Sequence, residues 1–356
     1  MKRKPKVLFC NAFKAPYIDT EKQIFKENFD VIFYEYNIKK TIIGKLFNLL
    51  KNFIIALIYV PQVDIVYSIF GGFHGFFPIF IAKLLHKKTI ITVGGYDAVN
   101  IPSIKFGIFY QNNFLTWCVK KQYEWVSYIL PVDESLEKST NYYSDPSGVG
   151  YANGVRNFVK TDAKVVTIPF GFSPTKFQKI EKYNLMSGVL SVGWATTSQV
   201  FLRKGFDLIL QVALLIPDTT FTIAGIGEEI IPSFKSNLPN NVRMLPFISH
   251  QDFISLCSEN KVFLQLSMSE GLPNTLCEAM LCECIPIGSD VNGIPNAIGE
   301  TGYILKQKDP LILKDIILNA LDKPNDFGKQ ARKRIIEKFP MQSRVESLKK
   351  IIESSY

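Results

Sequence analysis

Two glutamates, Glu270 and Glu278, stand on either side of a short turn in the stretch SEGLPNTLCEAMLCECIPIGSD, with seven residues between them. The apolar run VFLQLS before the turn predicts a buried strand. In open parallel sheets, ligands bind just outside the carboxyl ends of the strands. Gly271 permits a close backbone approach there, and the Thr275 hydroxyl can donate to a phosphate oxygen. The spacing therefore predicts one carboxylate at the mouth of a ligand site and a second one deeper inside it.

A helix is predicted through TLCEAMLCE, beginning at Pro273 or Asn274. Its free first-turn amides and the positive end of its dipole would face the strand end, which favours an anion such as phosphate. Glu278 lies roughly 6 Å further along the axis, where a carboxylate can accept hydrogen bonds from both hydroxyls of a ribose. The layout predicts a sugar at Glu270, then a diphosphate, then a ribose. The alternative, that both glutamates only favour a helix start, stays open.

Two further stretches place charge or glycine after a predicted strand. VLSVGWATTSQVFLRKGFDLILQVALLI predicts strand, loop and helix, with Arg203 and Lys204 where the loop meets the helix start. Two cations are unfavourable at the positive end of a helix, so a bound anion would explain them, although a solvated charged loop is the alternative. FTIAGIGEE leads another strand into a turn with Gly225 and Gly227. That pattern alone is weak, because ordinary β-to-α turns share it.

These three stretches, in this order and spacing, resemble the donor-binding domain of the retaining GT-B glycosyltransferases, in particular glycosyltransferase family 4. The Glu-x7-Glu pattern, the following AM and the later CIPIGSDVNGIPNAIGETGYIL carry the resemblance. The resemblance is clear from about residue 164 to residue 305 and mainly architectural over the first half. It implies that the ribose contacts Glu278, that a hydroxyl of the donor sugar contacts Glu270, and that Lys204, followed by glycine as in the family, neutralises the leaving diphosphate.

This sequence departs from the family pattern at three places, the first being the glycine-rich loop after the first strand, which is missing in CNAFKAPY. Trp194 follows Gly193 where the family commonly has an arginine, so Arg203 is expected to supply that charge. In TVGGYD, Asp97 is expected to replace the usual histidine as a sugar contact. The catalytic residues implied are therefore Glu270, Lys204, Arg203 and Asp97. The donor-binding residues implied are Glu278, Gly271, Leu272, Pro273, Asn274, Thr275, Leu276, Gly225, Gly227 and Phe247.

The chemistry that the resemblance implies is a retaining hexosyl transfer from a nucleotide-diphosphate sugar to a hydroxyl of a glycan or lipid-linked acceptor, in cell-surface polysaccharide or glycolipid synthesis. The donor phosphate would take the acceptor proton, so no protein nucleophile and no cofactor beyond the donor substrate are expected. No Asp-x-Asp motif follows a strand, so a metal ion is not expected. Two alternatives remain, a nucleotide-sugar epimerase of GT-B fold and a basic nucleic-acid-binding protein. A NAD-dependent dehydrogenase is disfavoured because no G-x-G-x-x-G follows the first strand of either half.

The length of 356 residues predicts two domains. Twelve strand-sized apolar runs, six in the first half and six after residue 185, alternate with helical periodicity, which is typical of parallel sheets covered by helices. We therefore expect an α/β chain with two doubly wound, Rossmann-like domains that face each other across a cleft. The acceptor-binding domain would span residues 1–175 and the donor-binding domain residues 176–340, with a linker near 172–187. After the break at Pro340, residues 341–356 would form a helix that crosses back to the first domain.

Charge divides the chain unevenly within its formal net charge of +9. Residues 1–180 contain 23 Lys and Arg against 13 Asp and Glu, while the remainder is near neutral. The apolar stretch 41–60, with Lys45 and Lys51 and preceded by Lys39 and Lys40, favours a helix at a membrane interface, although a core helix is the alternative. Six cysteines without CxxC pairing indicate reduced thiols, and no signal peptide is recognised. We expect a cytoplasmic protein, peripheral on an anionic membrane surface, with no nucleic-acid partner.

Overall fold

The computed structural model describes residues 3–38, 41–181 and 187–354. Lys39, Lys40 and residues 182–186 of the expected linker lie outside the described residues. The chain divides into two compact units. The first unit comprises Met1–Thr140, Ala152–Phe170 and Gln342–Tyr356, and the second comprises Asn141–Tyr151 and Gly171–Met341. Residues 141–151, expected within the first domain, thus belong to the second unit.

The first unit is built on a six-stranded sheet in which all neighbouring strands are parallel, in the order β2-β1-β3-β4-β5-β8. The first eight strands of the chain are β1 Lys6–Asn11, β2 Asp30–Glu35, β3 Ile65–Ile69, β4 Lys88–Val93, β5 Tyr128–Pro131, β6 Ser139–Asn141, β7 Tyr151–Asn153 and β8 Lys164–Val165. The first four helices are α1 Pro16–Asn28, α2 Ile42–Tyr59, α3 Phe73–Leu84 and α4 Phe114–Trp125. The short strands β6 and β7 pair in a sheet of their own.

The second unit contains another parallel six-stranded sheet, in the order β11-β10-β9-β12-β13-β14. Its strands are β9 Val189–Ala195, β10 Phe221–Ile226, β11 Val242–Leu245, β12 Val262–Gln265, β13 Ile285–Ser289 and β14 Tyr303–Leu305. The remaining helices of the chain are α5 Ser198–Arg203, α6 Phe206–Leu215, α7 His250–Glu259, α8 Asn274–Leu281, α9 Gly293–Ile298, α10 Pro310–Asp322, α11 Gly328–Lys338 and α12 Met341–Glu353. The strand order reverses between β9 and β12, and such a switch point leaves a crevice at the carboxyl ends of the strands.

The central strands of both sheets are apolar runs because both faces of a parallel sheet are covered by helices. Every residue of β3, β10, β12 and β13 is buried. Each of the twelve strand-sized runs expected from the sequence contributes a strand to one of the two large sheets. The α/β class with two parallel, doubly wound sheets is therefore confirmed.

The C-terminal helix α12 packs within the first unit through a buried ion pair. Arg344 donates to both carboxylate oxygens of Glu21, at 2.8 and 2.7 Å, and to the backbone carbonyl of Ile168 at 2.8 Å. Its guanidinium also lies 4.6 Å from the centre of the Phe170 ring. The helix that crosses back to the first domain after Pro340 is thereby confirmed.

One helical segment among the described residues, 42–62, is long and apolar enough to cross a membrane by length and composition. Most of its apolar surface is exposed within the structure. Length and composition alone do not distinguish a membrane-spanning helix from one that lies along a surface.

Candidate functional site

The loop that follows β12, at the switch point of the second unit, is held by hydrogen bonds to the amide and the carbonyl of one residue, Met268. The amide of Met268 donates to the Arg203 carbonyl at 2.8 Å. The carbonyl of Met268 accepts from the Asn141 side chain at 3.0 Å and from the Ser144 hydroxyl at 2.6 Å. Asn141 and Ser144 come from the segment 141–151, which no pattern in the sequence associates with this loop. The hydrogen bonds of this segment join residues far apart in the chain, so the local sequence pattern does not indicate them.

Gly205 explains why a glycine must follow Lys204. Its φ of 74° lies in the left-handed region, and a Cβ added there would lie 2.3 Å from the Leu266 carbonyl oxygen. The backbone after α5 therefore passes directly against the strand end that begins the site. Arg203 and Lys204 end the short helix α5 instead of lying in a loop, and cations are favourable at that end of a helix. Both residues also directly precede Gly205, the N-cap of α6, so the two cations lie just before a helix start as expected, with α5 in place of the expected loop.

Lys204 and Glu270 form an ion pair at the centre of the loop. Lys204 Nζ lies 2.6 Å from Glu270 Oε1, and the two side chains are only 15% and 16% exposed. Gln265 also donates to Glu270 Oε1 at 3.2 Å. Burial by itself would raise the pKa of Glu270, but Lys204, Arg203 and hydrogen bonds outweigh it and the pKa is lowered. Glu270 is therefore a carboxylate at neutral pH, and the structure brings it together with Lys204 and Arg203.

Glu278 is in the opposite condition. Its side chain is half-buried on α8, and no hydrogen bond or ion pair from the described residues reaches its carboxyl group. Burial raises the pKa of Glu278 from 4.5 to about 7. A carboxyl group that is withdrawn from water without a partner is costly when charged. A ligand whose two hydroxyl groups donate hydrogen bonds to the carboxylate would offset that cost.

The first-turn amides of α8 face the loop that precedes the helix. Pro273 occupies the N-cap position and makes no side-chain hydrogen bond to these amides. Thr275 donates to the Gln265 side chain at 3.2 Å, and the carbonyl of Gly271 accepts from Gly293 at 3.0 Å. The side chain of Asn274 is partly exposed, while Leu272 and Leu276 are buried and would offer only backbone groups to a ligand. The start of α8 can thus hold a phosphate through backbone amides.

The two glycines of FTIAGIGEE lie beside β9. Gly225 is part of β10 with φ of 88°, and a Cβ there would lie 2.8 Å from the Gly193 carbonyl oxygen. The amide of Gly227 donates to Ala195 at 2.8 Å. Gly225 therefore allows close packing of the strand ends, while Gly227 contributes a backbone hydrogen bond to β9, and ligand contact by either glycine stays a prediction.

Phe247 forms an aromatic pair that the sequence did not lead us to expect. Its ring lies 5.3 Å from that of Trp194 in an edge-to-face arrangement, and the two residues are 69% and 60% exposed. Trp194 lies near the end of β9 at the switch point, directly after Gly193. The only sequence signal for it was the replacement of the family's arginine, which did not indicate a partner. Exposed aromatic rings at a strand end offer a flat surface for a nucleobase.

Asp97 lies in the first unit and is buried. Its carboxylate accepts from the amides of Gly71, Gly94 and Gly95 at 2.9 to 3.1 Å and from the Tyr123 hydroxyl at 3.1 Å. Burial raises the pKa of Asp97, although these hydrogen bonds oppose the change. We reinterpret this residue, expected to contact the sugar, as a group that holds the loops after β3 and β4 together.

No group of three or more His, Cys, Asp or Glu side chains within residues 3–38, 41–181 and 187–354 is arranged to hold a metal ion. The six cysteines are free and buried.

Residues 195–338, which lie in the second unit, match the family described as glycosyl transferases group 1. Over 99% of both chains, the fold is similar to that of sucrose-phosphate synthase from Thermosynechococcus elongatus, with a TM-score of 0.76 and 14% sequence identity. At that identity the likeness concerns the fold alone, which is the GT-B fold.

Two curated relatives are similar over part of their length. The chain is 25% identical over 169 residues to a subunit of the phosphatidylinositol N-acetylglucosaminyltransferase of Arabidopsis thaliana, covering 45% of this chain and 36% of that protein. It is also 25% identical over 212 residues to the UDP-Gal:alpha-D-GlcNAc-diphosphoundecaprenol alpha-1,3-galactosyltransferase of Escherichia coli, covering 52% of this chain and 53% of that protein. Each match covers about half or less of the relative's own length. Residues 195–338 are thus similar to the group 1 glycosyltransferases, and the fold of the chain is the GT-B fold.

Proposed function

We propose that this chain transfers a hexose from a nucleotide-diphosphate sugar to a hydroxyl of a glycan or lipid-linked acceptor, with retention of configuration and without a metal ion. The observation that carries the proposal is the contrast between two glutamates at the switch point. Glu270 is charged and paired with Lys204, while Glu278 is withdrawn from water without a partner among the described residues. The start of α8 lies between them in sequence and can hold a diphosphate.

In this proposal each group has a separate task. Glu278 accepts hydrogen bonds from the two ribose hydroxyls, and the first-turn amides of α8 bind the diphosphate. Trp194 and Phe247 stack on the base. Lys204 turns from Glu270 toward the diphosphate oxygens as the donor binds, which frees Glu270 to accept from a hydroxyl of the sugar.

Transfer then requires stabilisation of the charge that develops on the leaving diphosphate. Lys204, Arg203 and the α8 amides supply fixed positive charge and hydrogen-bond donors at that position, and such preorganised groups can account for a large part of a rate enhancement. The acceptor oxygen attacks the anomeric carbon as the bond to the diphosphate breaks, and a donor phosphate oxygen takes the acceptor proton. These charges are already present in the protein, so the step needs no divalent ion and no cofactor.

The charge of the first half and the names of two relatives support the proposed acceptor and location. The names of the two relatives include phosphatidylinositol and a diphosphoundecaprenol-linked sugar. Both are membrane lipids, and the basic first half of this chain suits an anionic surface. We place the protein at the cytoplasmic face of a membrane, in the synthesis of a cell-surface polysaccharide or glycolipid.

Thermal unfolding with a panel of nucleotide sugars tests the donor site. A matching donor should raise the Tm of the wild type by mass action, and Glu278→Ala should lose most of that rise. Glu259→Ala, an exposed change at the end of α7, is the matched control and should keep it. Calorimetry at about pH 7 in buffers of different ionisation enthalpy should show proton release on donor binding, because ribose hydroxyls favour the charged form of Glu278. A wild type that responds to no donor would contradict the proposal.

Product analysis tests the chemistry separately. Proton NMR of the sugar transferred to a lipid-linked acceptor should show the anomeric configuration of the donor, in the presence of EDTA as well as in its absence. An altered donor sugar formed without any acceptor would identify an epimerase instead.

A further inference from the structure

Helix α2 of the first unit exposes large apolar side chains that a surface helix would usually bury. Its buried residues are Asn48, Asn52 and Ala56, and Leu49, Phe53 and Ile55 are half-buried, so the side that faces the protein contains two asparagines among apolar side chains. Its exposed side is made of large apolar side chains: Ile42, Ile43, Leu46, Phe47, Leu50, Ile54, Leu57 and Ile58. A surface helix of a soluble protein normally directs its apolar stripe to the core. We call these eight side chains the apolar face of α2.

The apolar face is one continuous surface. With about 100° between successive residues, its eight side chains fall within an arc of roughly 160°. The exposure is large, reaching 82% for Ile43. Soluble monomers rarely expose an apolar patch of this kind unless it binds something.

The two buried asparagines hold the helix in this orientation. Asn52 donates from its side chain to the Tyr34 hydroxyl at 3.0 Å and to the His74 carbonyl at 3.1 Å. Asn48 donates to the carbonyl of Asn37. Rotating α2 to bury its apolar face would break these bonds and leave buried polar groups unsatisfied. The apolar face is therefore a fixed feature of the first unit.

Charge on and around α2 indicates what covers this face. No Asp or Glu occurs between Tyr36 and Val63, whereas the same interval contains four lysines. Lys45 and Lys51 are exposed on the helix itself. A protein partner with an acidic rim would also suit lysines, but an anionic bilayer offers both a negative surface and a hydrocarbon layer that is not limited in area.

We propose that α2 lies flat in the surface of an anionic phospholipid bilayer, with its apolar face inserted among the acyl chains and Lys45 and Lys51 at the headgroups. The buried asparagines stay on the protein side, so the helix does not cross the membrane. This inference specifies the membrane contact suggested above and does not rest on the sugar-transfer activity. We attribute membrane attachment to insertion of the apolar face, and the lysines strengthen it through attraction to the headgroups.

Sedimentation with vesicles of phosphatidylcholine and phosphatidylglycerol tests the surface. The triple variant I43S/F47S/L50S should reduce vesicle partitioning by about a hundredfold, because three large apolar side chains no longer enter the acyl region. The matched control L214S/L311S changes exposed apolar side chains of the second unit and should partition as the wild type does. High salt should weaken the vesicle binding of the wild type without abolishing it, and the binding that remains should be absent in the triple variant.

Each outcome bears on the proposal. Absence of wild-type binding, equal binding by the triple variant, or complete loss of wild-type binding in salt would overturn insertion by α2. The donor-induced rise in Tm should be unchanged in the triple variant, which shows that it folds and separates a failure here from a failure of the donor site.

An environment-sensitive fluorophore gives a second measurement. The native cysteines are buried, so the label should react selectively with an introduced thiol in Ile43→Cys. Its emission should shift to the blue when anionic vesicles are added. Val149→Cys, at an exposed position of the second unit, should show no shift. A blue shift that depends on protein concentration without vesicles would mean that a second copy covers the face, and would overturn the proposal.

Discussion

Asp97 in the first unit and Glu278 in the second are acidic groups whose pKa values burial raises, and their surroundings differ completely. Asp97 receives four hydrogen bonds, three of them from backbone amides of two loops. Glu278 receives none from the described residues, and its pKa is raised to about 7. The first carboxyl group is saturated by hydrogen bonds from its own unit, whereas the second can still accept hydrogen bonds.

The comparison shows why a residue type at the end of a strand is a poor guide to its role. Asp97 and Glu278 both follow strands of a parallel sheet, where ligands commonly bind. Hydrogen-bond satisfaction separates them, because an acceptor that is already saturated has little to offer a substrate. Removing each group should therefore have opposite effects on the stability of the folded chain.

Asp97→Ala should have the largest effect. The change leaves the amides of Gly71, Gly94 and Gly95 and the Tyr123 hydroxyl without their acceptor, which should cost about 3 to 5 kcal/mol of unfolding free energy. Tm should fall by at least roughly 6 °C, measured by circular dichroism. Asp97→Asn keeps one acceptor oxygen and should recover part of the loss.

The same Asp97→Ala protein should retain its donor-induced rise in Tm, because the donor-binding residues belong to the second unit. Unchanged stability combined with loss of donor turnover would instead restore Asp97 as a direct sugar contact.

Glu278→Gln should stabilise the ligand-free protein at alkaline pH. The pKa of Glu278 in the folded protein is raised from 4.5 to about 7. The stability that its protonated carboxyl group contributes is therefore fully present below the unfolded pKa and is lost as the pH rises through 7. At about pH 8 the charged group should cost up to about 3 kcal/mol, a cost that glutamine avoids.

Urea unfolding at about pH 5 and about pH 8 measures this difference. The stability advantage of Glu278→Gln should appear at the higher pH and shrink at the lower one, while Glu259→Gln on the surface should show no such trend. The variant should also lose donor binding. A Glu278→Gln protein that is less stable than the wild type at pH 8 would mean that the carboxylate has a partner within the protein.

Much of the architecture was predictable from the sequence because parallel strands are short apolar runs, and all twelve expected runs form strands of the two sheets. The Glu-x7-Glu spacing likewise anticipated the loop and helix that place Glu270 and Glu278. The sequence did not reveal the bonds of Asn141 and Ser144 to the loop, because they join positions more than a hundred residues apart. Nor could it show that the apolar stripe of α2 faces outward, since periodicity gives the width of a stripe but not its direction.

Trp194→Ala should give the smallest effect and extends the contrast to an uncharged side chain. If the base stacks on the pair of Trp194 and Phe247, the loss should be about 1 to 3 kcal/mol of binding free energy, measured by calorimetry with UDP. Unlike Glu278→Gln, it should leave the pH dependence of stability unchanged. The rings contact each other, so Phe247→Ala should add less than its single effect to Trp194→Ala. Trp194→Phe should retain most of the affinity and Leu214→Ala all of it, whereas full UDP binding by Trp194→Ala would remove the aromatic pair from the donor site.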